Sequence, residues 1–171
     1  MSRPDLNRAP EFFHNYINQV PDNDLMTAFK NQTPVTIQFY ENIPADKIDY
    51  AYAEGKWTIR EVMQHIIDAE RVFSYRALRF ARKDATPLAS FDENLFTRNA
   101  KVNRRNWSDL LEEFKIVRKA TEMLFSSFDE DQLNASGIAN NNSIDVLALG
   151  YICVGHPIHH INITRERYLS K

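Results

Sequence analysis

The chain has 171 residues, of which 43% are hydrophobic and 26% charged, and its net charge is −2. That length suits one domain with its own core, and that balance gives no sign of a nucleic-acid-binding surface. A single cysteine excludes an intrachain disulfide and fits a reducing, cytoplasmic compartment. The first residues lack the apolar run of a signal peptide, and the longest uncharged apolar run, 146–155, is too short to cross a bilayer. With four glycines and little strand-like alternation, the chain reads as all-α, one domain over 1–171.

Residues 1–21 read as an irregular arm that Phe12, Phe13, Tyr16 and Ile17 tack onto the body. A first helix is expected over 22–42, with Leu25, Met26, Phe29, Ile37 and Tyr40 inward and Pro34 kinking or breaking it. Residues 43–57 form a loop. The second helix has a clear start. Thr58-Ile59-Arg60-Glu61 matches a capping box, and Trp57 with Val62 suits the accompanying hydrophobic staple. Ile59, Val62, Ile66, Ala69, Phe73, Ala77 and Phe80 then recur at helical steps, and His65 lies at the margin of that stripe. Residues 84–106 read as a long connection able to carry the chain back across a bundle. Trp107, Leu110, Leu111, Phe114, Val117, Thr121, Leu124 and Phe128 mark a third helix. Residues 129–142, followed by Ser143, read as the last turn and the cap of a fourth helix over 144–169.

That fourth helix carries three of the five histidines within Gly155-His156-Pro157-Ile158-His159-His160. At about 100° per residue, His156 and His160 fall about 40° apart on one face, in the stripe Leu149, Cys153, His156, His160, Ile163. Imidazoles in such a stripe need partners, because an unpartnered buried polar group costs about 1–3 kcal/mol. A divalent metal bound by His65, His156 and His160 would supply one, with a coordination position left open for catalysis. The competing account has the pair as hydrogen-bonded core histidines and His65 at the surface; spacing alone does not separate the two. Imidazole suits several metals, with zinc or nickel foremost and manganese or iron also admitted. His159, about 60° from His156, is a rival ligand or a supporting group; Asp68, one turn from His65, is positioned to orient it but reads better as a solvated helix-face carboxylate, and Trp57 is a further supporting candidate. Cys153 reads as inert core and His14 as surface. Arg71, Arg79 and Arg82 read as a solvated face. Arg76 lies nearer the His65 side but too far along the helix to touch a metal.

These residues also resemble a known family. Gly55-Lys56-Trp57-Thr58-Ile59-Arg60-Glu61-Val62 leading to His65 and Asp68-Ala69-Glu70-Arg71 looks like the first half of a DinB-like protein. Tyr75 to Arg82, Thr86-Pro87-Leu88 and Phe91-Asp92 continue the match. Gly155-His156-x-x-His159-His160 and Arg165-Glu166-Arg167-Tyr168-Leu169 look like its C-terminal signature. The resemblance implies a four-helix bundle of up-down-down-up topology with a long crossover between helices two and three. It also implies a divalent metal on His65, His156 and His160. Thiol S-transferases using bacillithiol or mycothiol and maleylpyruvate isomerases belong to that family. The expected function is therefore thiol S-transfer or hydrolysis of a small-molecule substrate, with a low-molecular-weight thiol as co-substrate and a homodimer as the assembly. No nucleic acid or membrane partner is expected. The alternative is a non-catalytic metal-binding bundle for interaction or storage. Pro157 departs from the family pattern: it removes the N–H that would bond the Cys153 carbonyl and is expected to bend the helix there.

Overall fold

A computed structural model describes residues 3–170. Four long helices dominate: α2 (Leu25–Glu41), α3 (Ile59–Ala81), α5 (Trp107–Ser126) and α7 (Val146–Ile163). Both α2 and α3 pack against α5 and α7, which places α2 and α3 at opposite corners of the bundle. The chain is thus mostly helical, and the four apolar stripes seen in the sequence meet in its core. Every member of the α3 stripe, from Ile59 to Phe80, is buried. Thr58 and Glu61 make both halves of the capping box, with the Thr58 N–H donating to the Glu61 carboxylate at 2.8 Å. α7 is buried on nearly every side, as its uniformly apolar sequence requires of a central helix. Beyond Ile163 the chain continues in wider π-type turns to Leu169. No helix among the described residues is long and apolar enough to cross a membrane.

Four expectations need correction. The N-terminal segment is not an irregular arm: residues Glu11–Gln19 form a helix, α1, packed along α7. The reason lies at Gly155. A Cβ there would come within 2.0 Å of the Tyr16 carbonyl oxygen, so only glycine lets the α1 backbone lie this close. Arg3 then donates to the carbonyls of Ile17 and Val20, both at 2.6 Å, satisfying acceptors at the end of α1. His14, read as a surface residue, is half-buried on α1, its Nε2 2.9 Å from the Leu6 carbonyl and 3.0 Å from that of Ala9.

The second correction concerns α2, which runs unbroken through Pro34, with Met26 turned outward at 36% exposure. Third, the connection after α3 is not structureless. It contains α4 (Glu93–Ala100), whose N-terminus Asp92 caps, and a tight turn at Val102–Arg104. Fourth, residues 129–142 hold a short helix, α6 (Glu130–Leu133), and a hairpin of β1 (Ser136–Ala139) and β2 (Asn142–Asp145). Asn140 and Asn141 make its turn at φ 50° and 59°, a left-handed pair that asparagine tolerates. Leu88 bonds to the backbone of Ile138 and Asn140, so the connection and the hairpin form one edge. The cap of α7 is Asp145, which accepts from the Ala148 N–H at 2.6 Å.

Candidate metal centre

α3 contributes His65 in its second turn, and α7 contributes His156 and His160 one turn apart. The Nε2 of His156 lies 3.0 Å from that of His65 and 3.0 Å from that of His160. One nitrogen from each ring falls within a 4.8 Å set. His156 is buried at 4% exposure, while His65 and His160 are partly open. Withdrawal from water lowers all three pKa values. Burial, with a smaller contribution from His159, brings His65 down to about 4. His156 and His160 are held well below 6.5 by burial and then by the neighbouring imidazoles. Three neutral rings therefore face one another. Each neutral imidazole carries a single N–H, so its other nitrogen is a lone pair. At 3.0 Å a pair of Nε2 atoms either shares a proton in an N–H···N bond or, with the protons on Nδ1, directs lone pairs at a common cation. The donor set fits a divalent metal that accepts imidazole, which includes Zn, Ni, Fe and Cu.

Aromatic rings fix these planes. Trp57 lies 4.8 Å from His65 between centroids, and Tyr16 and Phe73 stand edge-on to His156 at 5.3 and 6.0 Å. The Tyr168 hydroxyl donates to the Trp57 carbonyl at 2.7 Å, tying the end of the chain to the loop before α3. His159 lies outside the three-ring set. It faces α1, with its Nδ1 3.4 Å from the Asn15 amide nitrogen and its ring 5.0 Å from Tyr16. Asp68 accepts from Gln64 at 2.9 Å and lies 3.9 Å from Arg71; its partners are these, not His65. Arg71 pairs with Glu113, Arg79 with Asp84, and Arg82 lies over Phe128, in keeping with an outer face.

Pro157 leaves the Cys153 carbonyl without its helical donor, and a residue that the sequence did not single out supplies one. Arg118 of α5, only 1% exposed, donates Nη2 to that carbonyl at 2.7 Å. The same guanidinium grips both Glu70 carboxylate oxygens, at 2.9 Å from Nε and 2.7 Å from Nη2. A bidentate buried pair thus braces α7 one turn before His156, where the backbone ladder is broken. The sequence signal was Pro157 itself, which frees an acceptor that must find a donor. Cys153 is buried in the core, one turn before His156 on α7. Its thiol is fully buried and pushed well above its ordinary pKa by burial and by Glu70, so it is no thiolate nucleophile.

The three imidazoles open onto a cavity of about 430 Å³. Phe13, Tyr16 and Phe73 form part of its wall, and Ala139, Asn140 and Ile144 of the hairpin close another side. A volume in that range accommodates a small organic molecule.

The fold is similar to that of YfiT from Bacillus subtilis, described as a probable metal-dependent hydrolase with an unusual four-helix bundle topology. The TM-score is 0.71 and the identity 17%, and the match covers 95% of this chain and 91% of that one. At that identity the likeness is one of fold. No curated protein matches the sequence. The family model of the DinB superfamily matches residues 28–163, a span that includes all three histidines. The chain belongs to the DinB superfamily.

Proposed function

We propose that this protein is a metal-dependent enzyme, a hydrolase or thiol S-transferase, with a divalent ion held by His65, His156 and His160. One observation carries the reading: the three imidazoles meet at the wall of a cavity and not inside closed packing. Structural zinc sites are enclosed by four protein ligands, whereas three ligands beside an open space leave room for water or substrate. A divalent ion supplies Lewis acidity there, favouring the deprotonated form of water or of a thiol near neutral pH. The residues around it hold the imidazoles neutral, fix their planes and narrow the access of water. Because the Cys153 thiol is buried and protonated, the thiol in an S-transfer must be a diffusible, low-molecular-weight one. The family resemblance supports S-transfer, and the description of YfiT supports hydrolysis. The open cavity weighs against a purely structural or storage role.

We also infer the up-down-down-up sense of the long helices, with residues 82–106 as the crossover. Supporting it, Glu41 meets Lys115 and Thr33 meets Glu122, an antiparallel pairing of α2 and α5. Gln64 and Glu70 of α3 meet Arg105 and Arg118 respectively, a parallel pairing with α5.

The test is a screen for ester and amide hydrolysis and for thiol transfer, run on metal-loaded and chelator-treated protein. Turnover that depends on the metal and disappears in His156→Ala supports the reading. Metal-loaded protein with no turnover across both reaction classes favours the non-catalytic bundle.

A further inference from the structure

Arg76 stands eleven positions after His65 on α3, about 16 Å further along the helix axis at 1.5 Å per residue. It lines the same cavity as the three histidines. The side chain is 6% exposed, yet no carboxylate among the described residues pairs with it. Its one hydrogen bond among them runs from Nη2 to the Ala89 carbonyl at 3.0 Å, and its guanidinium lies 5.9 Å from the Phe91 ring centre. The contrast within the chain is sharp. Arg118, also buried, grips Glu70, and Arg60, Arg71, Arg79 and Arg105 each have a carboxylate partner. A buried cation without a counter-charge is costly, and burial does lower the Arg76 pKa. The Ala89 bond uses one of the two Nη2 N–H groups, and the other forms a fork with Nε or with Nη1, whichever edge it lies on, suited to a carboxylate. Glu93 is the one acidic residue on the cavity wall; it is exposed, and its charge is felt by Tyr16.

We propose that Arg76 binds a carboxylate of the substrate, which makes the substrate an elongated monoanion with an apolar or aromatic middle. The middle lies against Phe73, Phe91 and Ile144, and the reacting end faces His65, His156 and His160. A single arginine, with no lysine on the wall, matches one negative charge better than the two of a phosphate monoester. The inference rests on the functional reading above, since it takes the histidines as the reacting end.

The probes are 4-phenylbutyrate and its neutral isostere 4-phenylbutyramide, titrated by calorimetry into the protein as purified, with metal content measured in every sample. The carboxylate should bind at least about tenfold more tightly than the amide, as a charge-assisted fork implies. Arg76→Gln should erase most of that preference without changing metal content. Arg76→Lys, which keeps the charge but loses the fork, should retain only part of it. If the unaltered protein binds carboxylate and amide alike, or binds neither at millimolar concentration, the proposal fails. It also fails if folded Arg76→Gln keeps the preference, because the carboxylate then sits on the metal. Metal content reads the other claim separately: a preference that depends on Arg76 in protein without metal would uphold this inference and remove the metal centre.

Discussion

At the residue scale the site depends on which imidazoles converge. His65, His156 and His160 share one point, while His159 is turned toward Asn15 and Tyr16. Alanine at any of the first three removes a direct bond and should weaken metal binding by more than about 100-fold, beyond the range typical of supporting groups. His159→Ala should weaken it by less than about tenfold. Calorimetric metal titration of the four variants, each checked for helix content, reads the difference. Equal losses at His159 and His160 would overturn the assignment. The same three rings set an acid limit for the metal-free protein. Their folded pKa values are depressed, His65 to about 4 and the other two well below 6.5. Below about pH 6.5 the unfolded chain takes up protons that the folded site refuses. The stability is therefore fully present above that pH and is lost as the pH falls toward 4. Urea midpoints of metal-free protein should drop between about pH 7.5 and about pH 5, and His160→Gln should flatten that slope. A parent profile no steeper than that of the variant would contradict it.

At the scale of elements, α7 is a helix with one missing rung and an external replacement for it. Pro157 breaks the backbone ladder, and Arg118, held by Glu70, takes the freed Cys153 carbonyl. Arg118→Met should destabilise the fold by about 3–5 kcal/mol, because Glu70 would be left as an unpaired buried charge. Restoring the backbone donor with Pro157→Ala should recover about 1 kcal/mol of that loss, the part owed to the carbonyl. A double-mutant cycle by denaturant unfolding measures the coupling, and additive effects would show that the two are independent. This brace was half legible beforehand: Pro157 announced an unpaired acceptor, but nothing local marks Arg118 as its donor across the bundle. The long helices were legible because their apolar residues recur at helical steps and Thr58 and Glu61 form a capping box. α1 was missed although Phe12, Phe13, Tyr16 and Ile17 recur on one helical face, because a helix of nine residues is short and its docking depends on contact with Gly155. The hairpin was missed because strands of four residues are too short for alternation to register. The Asn140-Asn141 turn was the available signal.

At the scale of the whole molecule, the bundle converts distant residues into one cavity. Helices α3 and α7 supply the histidines, α1 a wall, and the connection and hairpin close the remainder. The His156–His160 pair could be read from a helical wheel. Its meeting with His65 required the packing of α3 on α7, and the cavity required the three segments that the sequence left without regular structure. The central claim is that this point of convergence holds a metal, and elemental analysis addresses it most directly. Protein prepared with neither a chelator nor a metal-affinity tag should carry about one divalent ion per chain, and the ion should be absent from His65→Ala and His156→Ala. A folded parent protein that remains empty after exposure to Zn, Ni, Mn and Fe would contradict the account.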